Sequence, residues 1–221
     1  MTQIKNLGIE KTTASNNDFL LLQSPEGETY HITKNNFLQG LIDTPTQSRT
    51  TWDSTKILDG VLTNNDLTFT SPMLKQDTAF TTKAIPAGKI YWEILTHNQF
   101  VVVGIAREEH STNLYVGGSN LSWGYYGYNG NKYFNGSRSA FGSSFSNNSI
   151  IGVALDADSG SLFFYKDGTL QGNFSIPLGI TFYPAISGDN NAEMPASATL
   201  RTLASEFIYP VPTGFTALDQ G

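Results

Sequence analysis

The chain contains no cysteine, which removes disulfide staples, thiolate metal centres and a cysteine nucleophile from consideration. It has no run of about 18 apolar residues, so no membrane-spanning helix and no membrane insertion are predicted. The opening stretch, MTQIKNLGIEKTTASNNDF, lacks the apolar core of a secretory leader, and none is expected. Charged residues make up only 14% of the chain, net charge is −6, and lysines and arginines form no cluster. A basic footprint for nucleic acid is therefore missing, as is one for an anionic membrane surface. Histidine occurs only as His31, His97 and His110.

What is present suits a β-rich protein. Aromatic residues reach 12%, glycines number 21, and Ser, Thr and Asn are abundant, so the surface is polar through hydroxyls and amides. The segment Ile151–Gly172, IGVALDADSGSLFFYKDGTLQG, is the most informative. Ile151, Val153 and Leu155 fall on one face of an extended strand, and Leu162 and Phe164 on one face of the next. Asp158-Ser159-Gly160 closes the first turn, and Asp167-Gly168, a dipeptide tolerant of positive φ, closes the second. This predicts an antiparallel meander with one wet and one dry face. Ile90, Trp92 and Ile94 alternate likewise, as do Val101, Val103 and Ile105, then Phe182, Pro184 and Ile186. Turn signals recur at Pro86-Ala87-Gly88, Asn129-Gly130 and Asn135-Gly136. Many short strands at such spacing predict an all-β sandwich or barrel over residues 52–221.

Residues 1–42 read as a separate small module: a strand at Phe19–Leu22, a turn at Pro25-Glu26-Gly27, a strand at Thr29–Thr33 and a short helix at Phe37–Ile42. Residues 43–51, DTPTQSRTT, read as a polar linker. A module this small, with neither disulfide nor metal, seldom buries enough surface to fold alone. Phe19, Leu21, Tyr30, Ile32, Phe37, Leu38 and Leu41 are the apolar residues a companion would cover, either the chain's own second domain or another molecule. The tether favours another molecule, whether copies of the same chain or a different protein.

The ordered motifs of residues 52–221 resemble the SPRY (B30.2) family. They begin loosely at Trp52-Asp53 and Asp66–Phe69 and become specific at Gly88-Lys89-Ile90-Tyr91-Trp92-Glu93-Ile94. Val103-Gly104-Ile105-Ala106, Ser122–Gly127, Lys132–Gly136, Ile151–Asp156, Phe164–Gly168 and Phe182–Ala185 follow in the family's order. The resemblance implies an antiparallel bent β-sandwich and a binding module without enzymatic activity, whose partners, usually protein segments, are held by loops at one edge. Residues 17–41, with Phe19-Leu20-Leu21-Leu22, Tyr30-His31-Ile32 and Phe37-Leu38, look like the attachment segment of bacteriophage fibre and head-decoration proteins, cyanophage ones among them. That likeness implies docking to other virion proteins, with a homotrimer as the expected form.

Catalytic constellations find no support in the residues. Gly142–Ser146 lacks the last glycine of a nucleophile elbow and has no histidine near it in sequence. Glu93 lies beside Trp92, yet its position is framework in the family and no second carboxylate alternates with it. Asp156, Asp158 and Asp189 could be offered to calcium, but Asp158 has a simpler duty in its turn. No catalytic residue, metal or cofactor is expected. Recognition remains: the loops Arg107–Leu121, Ser137–Ser149 and Gly188–Ala198 offer Arg107, His110, Tyr115, Asn120, Arg138, Asn147, Asn190 and Met194. Alternation puts Trp123 and Tyr125 in the core and leaves Tyr126 and Tyr128 on the other face, available to a ligand. The expectation is a virion protein of tail-fibre or receptor-binding type that presents these loops to a host surface glycan or protein. A capsid or tail cement protein and a cellular SPRY adaptor that holds a peptide are the alternatives.

Overall fold

The computed structural model describes residues Phe19–Gln23, Thr29–Thr33, 49–189 and 194–219. The chain divides into two compact units, 1–48 and 49–221. In the first, strands β1 (Phe19–Gln23) and β2 (Thr29–Thr33) pair antiparallel with Leu21 opposite His31, and the turn expected at Pro25-Glu26-Gly27 lies outside the described residues. The helix expected at 37–42, with Phe37, Leu38 and Leu41, lies outside the described residues.

The second unit is all-β and consists of two packed sheets. One has six antiparallel strands in the order β10 (Ser137–Ala140), β9 (Asn131–Phe134), β8 (Ser122–Tyr126), β7 (Val102–Ala106), β14 (Tyr183–Ser187) and β5 (Thr78–Phe80). The other runs β13 (Thr169–Ser175), β12 (Ser161–Lys166), β11 (Ile150–Asp156), β6 (Lys89–Thr96), β15 (Ala196–Arg201), β4 (Thr68–Ser71) and β3 (Val61–Thr63). Short β16 (Thr216–Ala217) adds parallel to β6. One 3-10 turn at Ala204–Glu206 is the only helical element among the described residues.

The core lies between the sheets and follows the two-residue period of the sequence. Ile151, Val153 and Leu155 of β11 meet Trp92 and Ile94 of β6 and Leu162 and Phe164 of β12 on one inner face. Val103, Ile105, Trp123 and Tyr125 line the other. Each fully buried side chain of this kind contributes roughly 1.5–3 kcal/mol. The second meander turn has Asp167 at φ 49° and Gly168 at φ 77°, the left-handed conformation the dipeptide foretold.

The outer faces depart from the simple pattern. β11 is buried on both faces, not one wet and one dry. Tyr91 lies across Gly152, where a Cβ would collide with the Tyr91 ring. Residues 202–219 then strap the outer face of the large sheet. Glu93, fully buried, accepts the backbone N–H groups of Ile208 (2.9 Å) and Tyr209 (3.0 Å), and Phe207 packs edge-on to Tyr91 at 5.1 Å. The six-stranded sheet is capped by residues 111–118. Thr78 donates its N–H to Thr112 and its hydroxyl to Leu114, and the Val116 N–H donates to Ser187 Oγ.

The second unit begins at Arg49, inside the stretch read as linker. Thr50 is buried, and its N–H and hydroxyl each donate to the Asp219 carboxylate at 2.7 Å, while Arg49 pairs with Glu206 at 2.7 Å. The start and the end of the sandwich are thus tied to each other.

Candidate functional site

The outer face of the six-stranded sheet carries a groove of about 720 Å³ at the end where β8, β9 and β10 form the rim. Its walls are Phe100, Tyr115, Tyr126, Tyr128 and Tyr133, with Gln99, Asn129, Arg138 and Asp189 as polar members. Such a volume is ordinary for a ligand site, and apolar walls with a few placed polar groups are the usual composition. Strand period explains the lining. Tyr126 on β8, Tyr133 on β9 and Arg138 on β10 all point outward, because Tyr133 stands opposite both Gly124 and Arg138.

The rings brace one another. Phe100 and Tyr128 stack at 6.0 Å with 16° between their planes, and Tyr133 sits edge-on to Tyr115 at 5.7 Å and to Tyr126 at 5.9 Å. The Tyr126 hydroxyl donates to Asp189 Oδ2 at 2.5 Å. Burial, then this hydrogen bond, drives the Tyr126 phenol above its ordinary pKa. Burial, with smaller contributions from Tyr133 and Asp189, raises Tyr115 as well. These two phenols therefore stay neutral at ordinary pH, and that of Tyr126 serves as a donor. Asn129 Nδ2 donates to the Tyr133 hydroxyl at 3.2 Å. Tyr128 is 59% exposed, so a large flat ring faces solvent at the groove.

The structure brings together four of the side chains expected to recognise a ligand: Tyr115, Tyr126, Tyr128 and Arg138. It places the others elsewhere. Arg107 pairs with Glu109 at 3.2 Å beside a separate shallow hollow. His110 is not a rim residue. Its ring is buried, Nδ1 bonds Ser119 Oγ at 2.8 Å, and Nε2 has no hydrogen-bond partner. Tyr126, expected on an open face, is only 6% exposed because the loop 111–118 roofs part of that face. Asn120 and Asn147 are exposed and Met194 is 55% exposed, but none lines the groove. Asn190 lies outside the described residues, as do Phe37, Leu38 and Leu41. Phe19, Leu21, Tyr30 and Ile32 stand in β1 and β2.

Sequence reasoning missed Phe100, Asn129, Tyr133 and Gln99, and it weighed Asp189 only as a calcium ligand, whereas the structure bonds it to Tyr126. Tyr133 was legible, since the Asn135-Gly136 turn sets its register with Arg138. Phe100 was not, because its contact with Tyr128 depends on how two loops meet. The carboxylates weighed for calcium have local partners: Asp158 accepts the Gly88 N–H, and Asp156 holds Ser159 and Lys89. Glu93 accepts backbone donors in the strap, as a framework residue would.

Two antiparallel sheets packed face to face, with a groove of aromatic rings on one outer surface, define a β-sandwich. The chain belongs to the SPRY domain family, whose model matches residues 89–199. This domain is typically one of protein interaction. A probable ATP-dependent RNA helicase, ddx1, of Dictyostelium discoideum is 35% identical over 117 residues, 51% of this chain. The chain spans only 15% of that helicase's length. Among solved structures, the SPRY domain of human HERC1 superposes with a TM-score of 0.59 at 21% identity, covering 68% of this chain and 96% of that one. The TRIM65 PSpry domain gives 0.55 at 19% identity, covering 68% and 90%. Stonustoxin gives 0.53 at 20%, covering 68% of this chain and 26% of that one. These likenesses carry the fold.

Proposed function

We propose that the chain is a non-enzymatic recognition protein that grips a segment of another protein in the tyrosine-walled groove. The observation that carries this reading is the groove itself, with the 59%-exposed Tyr128 ring at its mouth and the phenol of Tyr126 anchored to Asp189. Large rigid rings with polar tips supply contact area at low entropic cost, which is why tyrosine dominates many paratopes.

The finer part of the proposal concerns where the domain is mounted. The likeness of residues 17–41 to phage attachment segments supports a tail-fibre or receptor-binding protein of a virion. In this reading residues 1–42 dock to other virion proteins as a homotrimer, and the partner is a protein of the host surface. Three copies would multiply weak groove contacts by avidity.

The test uses the full-length chain on immobilised host surface proteins and on a glycan array. Wild type retains a surface protein, and Tyr128→Ala retains it at least tenfold less. Retention of glycans alone, or no change with Tyr128→Ala, defeats the groove reading. A sedimentation measurement showing only monomer at micromolar concentration defeats the trimeric attachment reading.

A further inference from the structure

Strand β10 ends the six-stranded sheet, and all four of its residues are exposed. The turn before it, Asn135 (φ 52°) and Gly136 (φ 70°), is a two-residue hairpin turn with both residues left-handed. The residues flanking such a turn, Phe134 and Ser137, form a hydrogen-bonded pair, as do Lys132 and Ser139 two residues on. The backbone N–H and C=O groups of Arg138 and Ala140 therefore point away from β9, to the open edge.

A cleft flanks this edge on each face of the sheet. Outside lies the tyrosine groove. Inside, between β10 and β13 of the facing sheet, lies a second cleft of about 440 Å³ lined by Trp123, Lys132, Phe134, Phe174 and Pro177. Trp123 and Phe134 stack at 5.1 Å, and Phe134 is 39% exposed there. Arg138 lines both clefts.

The charges are equally uneven. Among the described residues every lysine and arginine but two has a carboxylate within 3.7 Å. The two exceptions, Lys132 and Arg138, sit on this one hairpin of a chain whose net charge is −6. Lys132 Nζ rests instead on the rings of Phe174 (5.1 Å) and Phe141 (5.3 Å).

We infer that a partner segment binds as an added strand on β10, with an acidic side chain against Arg138 and apolar side chains at alternating positions entering the two clefts. The inference rests on the groove reading above and adds the backbone edge, the inner cleft and the acidic character of the partner. An added strand sends successive side chains to opposite faces, which is how the two clefts are disposed. A short, charged edge strand is a common device against unwanted pairing. That device has no use for an apolar cleft on either side. A second copy pairing antiparallel through β10 would bring the two Arg138 guanidinium groups close together, so the occupant is a different, acidic chain.

The probe is a synthetic library of nine-residue peptides, acetylated and amidated, with Glu or Asp alternating with Phe, Leu and Val. A matched library carries Lys in place of the acids. Binding to the full-length chain is read by fluorescence anisotropy. Acidic members bind and basic ones do not, Arg138→Glu weakens binding at least tenfold, and Ala140→Pro does the same by deleting one edge N–H. In wild type the bound peptide slows amide exchange at Arg138 and Ala140 at least tenfold. This readout decides the matter even where Ala140→Pro does not fold.

If Tyr128→Ala weakens peptide binding while Arg138→Glu, Ala140→Pro and the edge amides are indifferent, strand addition is wrong and the groove reading stands. If the edge amides respond and Tyr128→Ala is indifferent, the edge stands and the groove reading falls. Binding of glycans alone, no acidic peptide bound below 1 mM, or edge protection that grows with protein concentration without peptide each overturns the proposal.

Discussion

At the scale of single residues, stability concentrates in a few buried polar groups. Glu93 is the clearest: its carboxylate accepts two strap N–H groups, receives the Tyr91 hydroxyl at 3.2 Å and lies 3.7 Å from Arg201. Truncating it leaves those donors buried without an acceptor, at about 1–3 kcal/mol for each unsatisfied group. Glu93→Ala is expected to lower unfolding free energy by about 3 kcal/mol or more and Glu93→Gln by less, as urea titrations will report. His110 sets a pH dependence. Burial, partly offset by the Leu114 carbonyl, lowers its pKa from 6.5 to about 4. The folded state therefore holds the neutral ring, while the unfolded chain takes up a proton below 6.5. Stability is full above pH 6.5 and falls as pH drops toward 4, by up to about 3 kcal/mol for a depression of this size. Burial works against the charge on Asp156 and Asp219, but hydrogen bonds from Lys89 and Ser159 to the first and from Thr50 to the second hold both pKa values below 3.8, so their losses come at lower pH. His110→Gln is expected to flatten the slope of denaturation midpoint between pH 4.5 and 6.5, and an unchanged slope counts against this assignment.

At the scale of elements, the C-terminal strap behaves as a working part of the large sheet. Removing residues 202–221 would expose Tyr91 and strip Glu93 of both donors. The truncated chain is expected to lose its near-UV circular dichroism and bind a hydrophobic dye, whereas a native-like spectrum would show the strap to be dispensable. This is also the scale at which the sequence was most and least legible. Asp167-Gly168 announced its turn because the required positive φ restricts which residues can stand there. Trp123 and Tyr125 announced the core because a strand's period leaves no alternative once one face is dry. Tyr126 was misjudged because alternation names the face but not what covers it. The cover comes from Val116, brought in by hydrogen bonds to Ser187 and Ser122 from its own N–H and that of Gly117. Likewise β11 reads as half-wet only until Tyr91 and the strap are seen to lie on it. In the groove, Tyr115, Tyr128 and Arg138 were reachable from residue type, whereas Asp189 and Phe100 joined through packing between loops.

At the scale of the whole molecule, the two compact units make separate predictions. The second, 49–221, has its own core and its own closure between Thr50 and Asp219. Expressed alone it is expected to sediment as a monomer and to unfold in one cooperative transition, with calorimetric and van't Hoff enthalpies equal. Self-association of this fragment would count against the proposal that residues 1–42 carry the oligomerising surface. The central strand β6 takes neighbours from β11, β15 and β16, so its pairings reach from residue 89 to residue 217. Contacts of such sequence separation make for slow folding.

The Thr50–Asp219 clasp has a consequence for biosynthesis. While the chain is being translated, β6 can pair with β11 once residue 156 has emerged, but Thr50 and Asp219 can join only after residue 219 has left the ribosome. Until then the nascent sandwich holds its sheets without the tie between its two ends, open to whatever chaperones meet it at the exit.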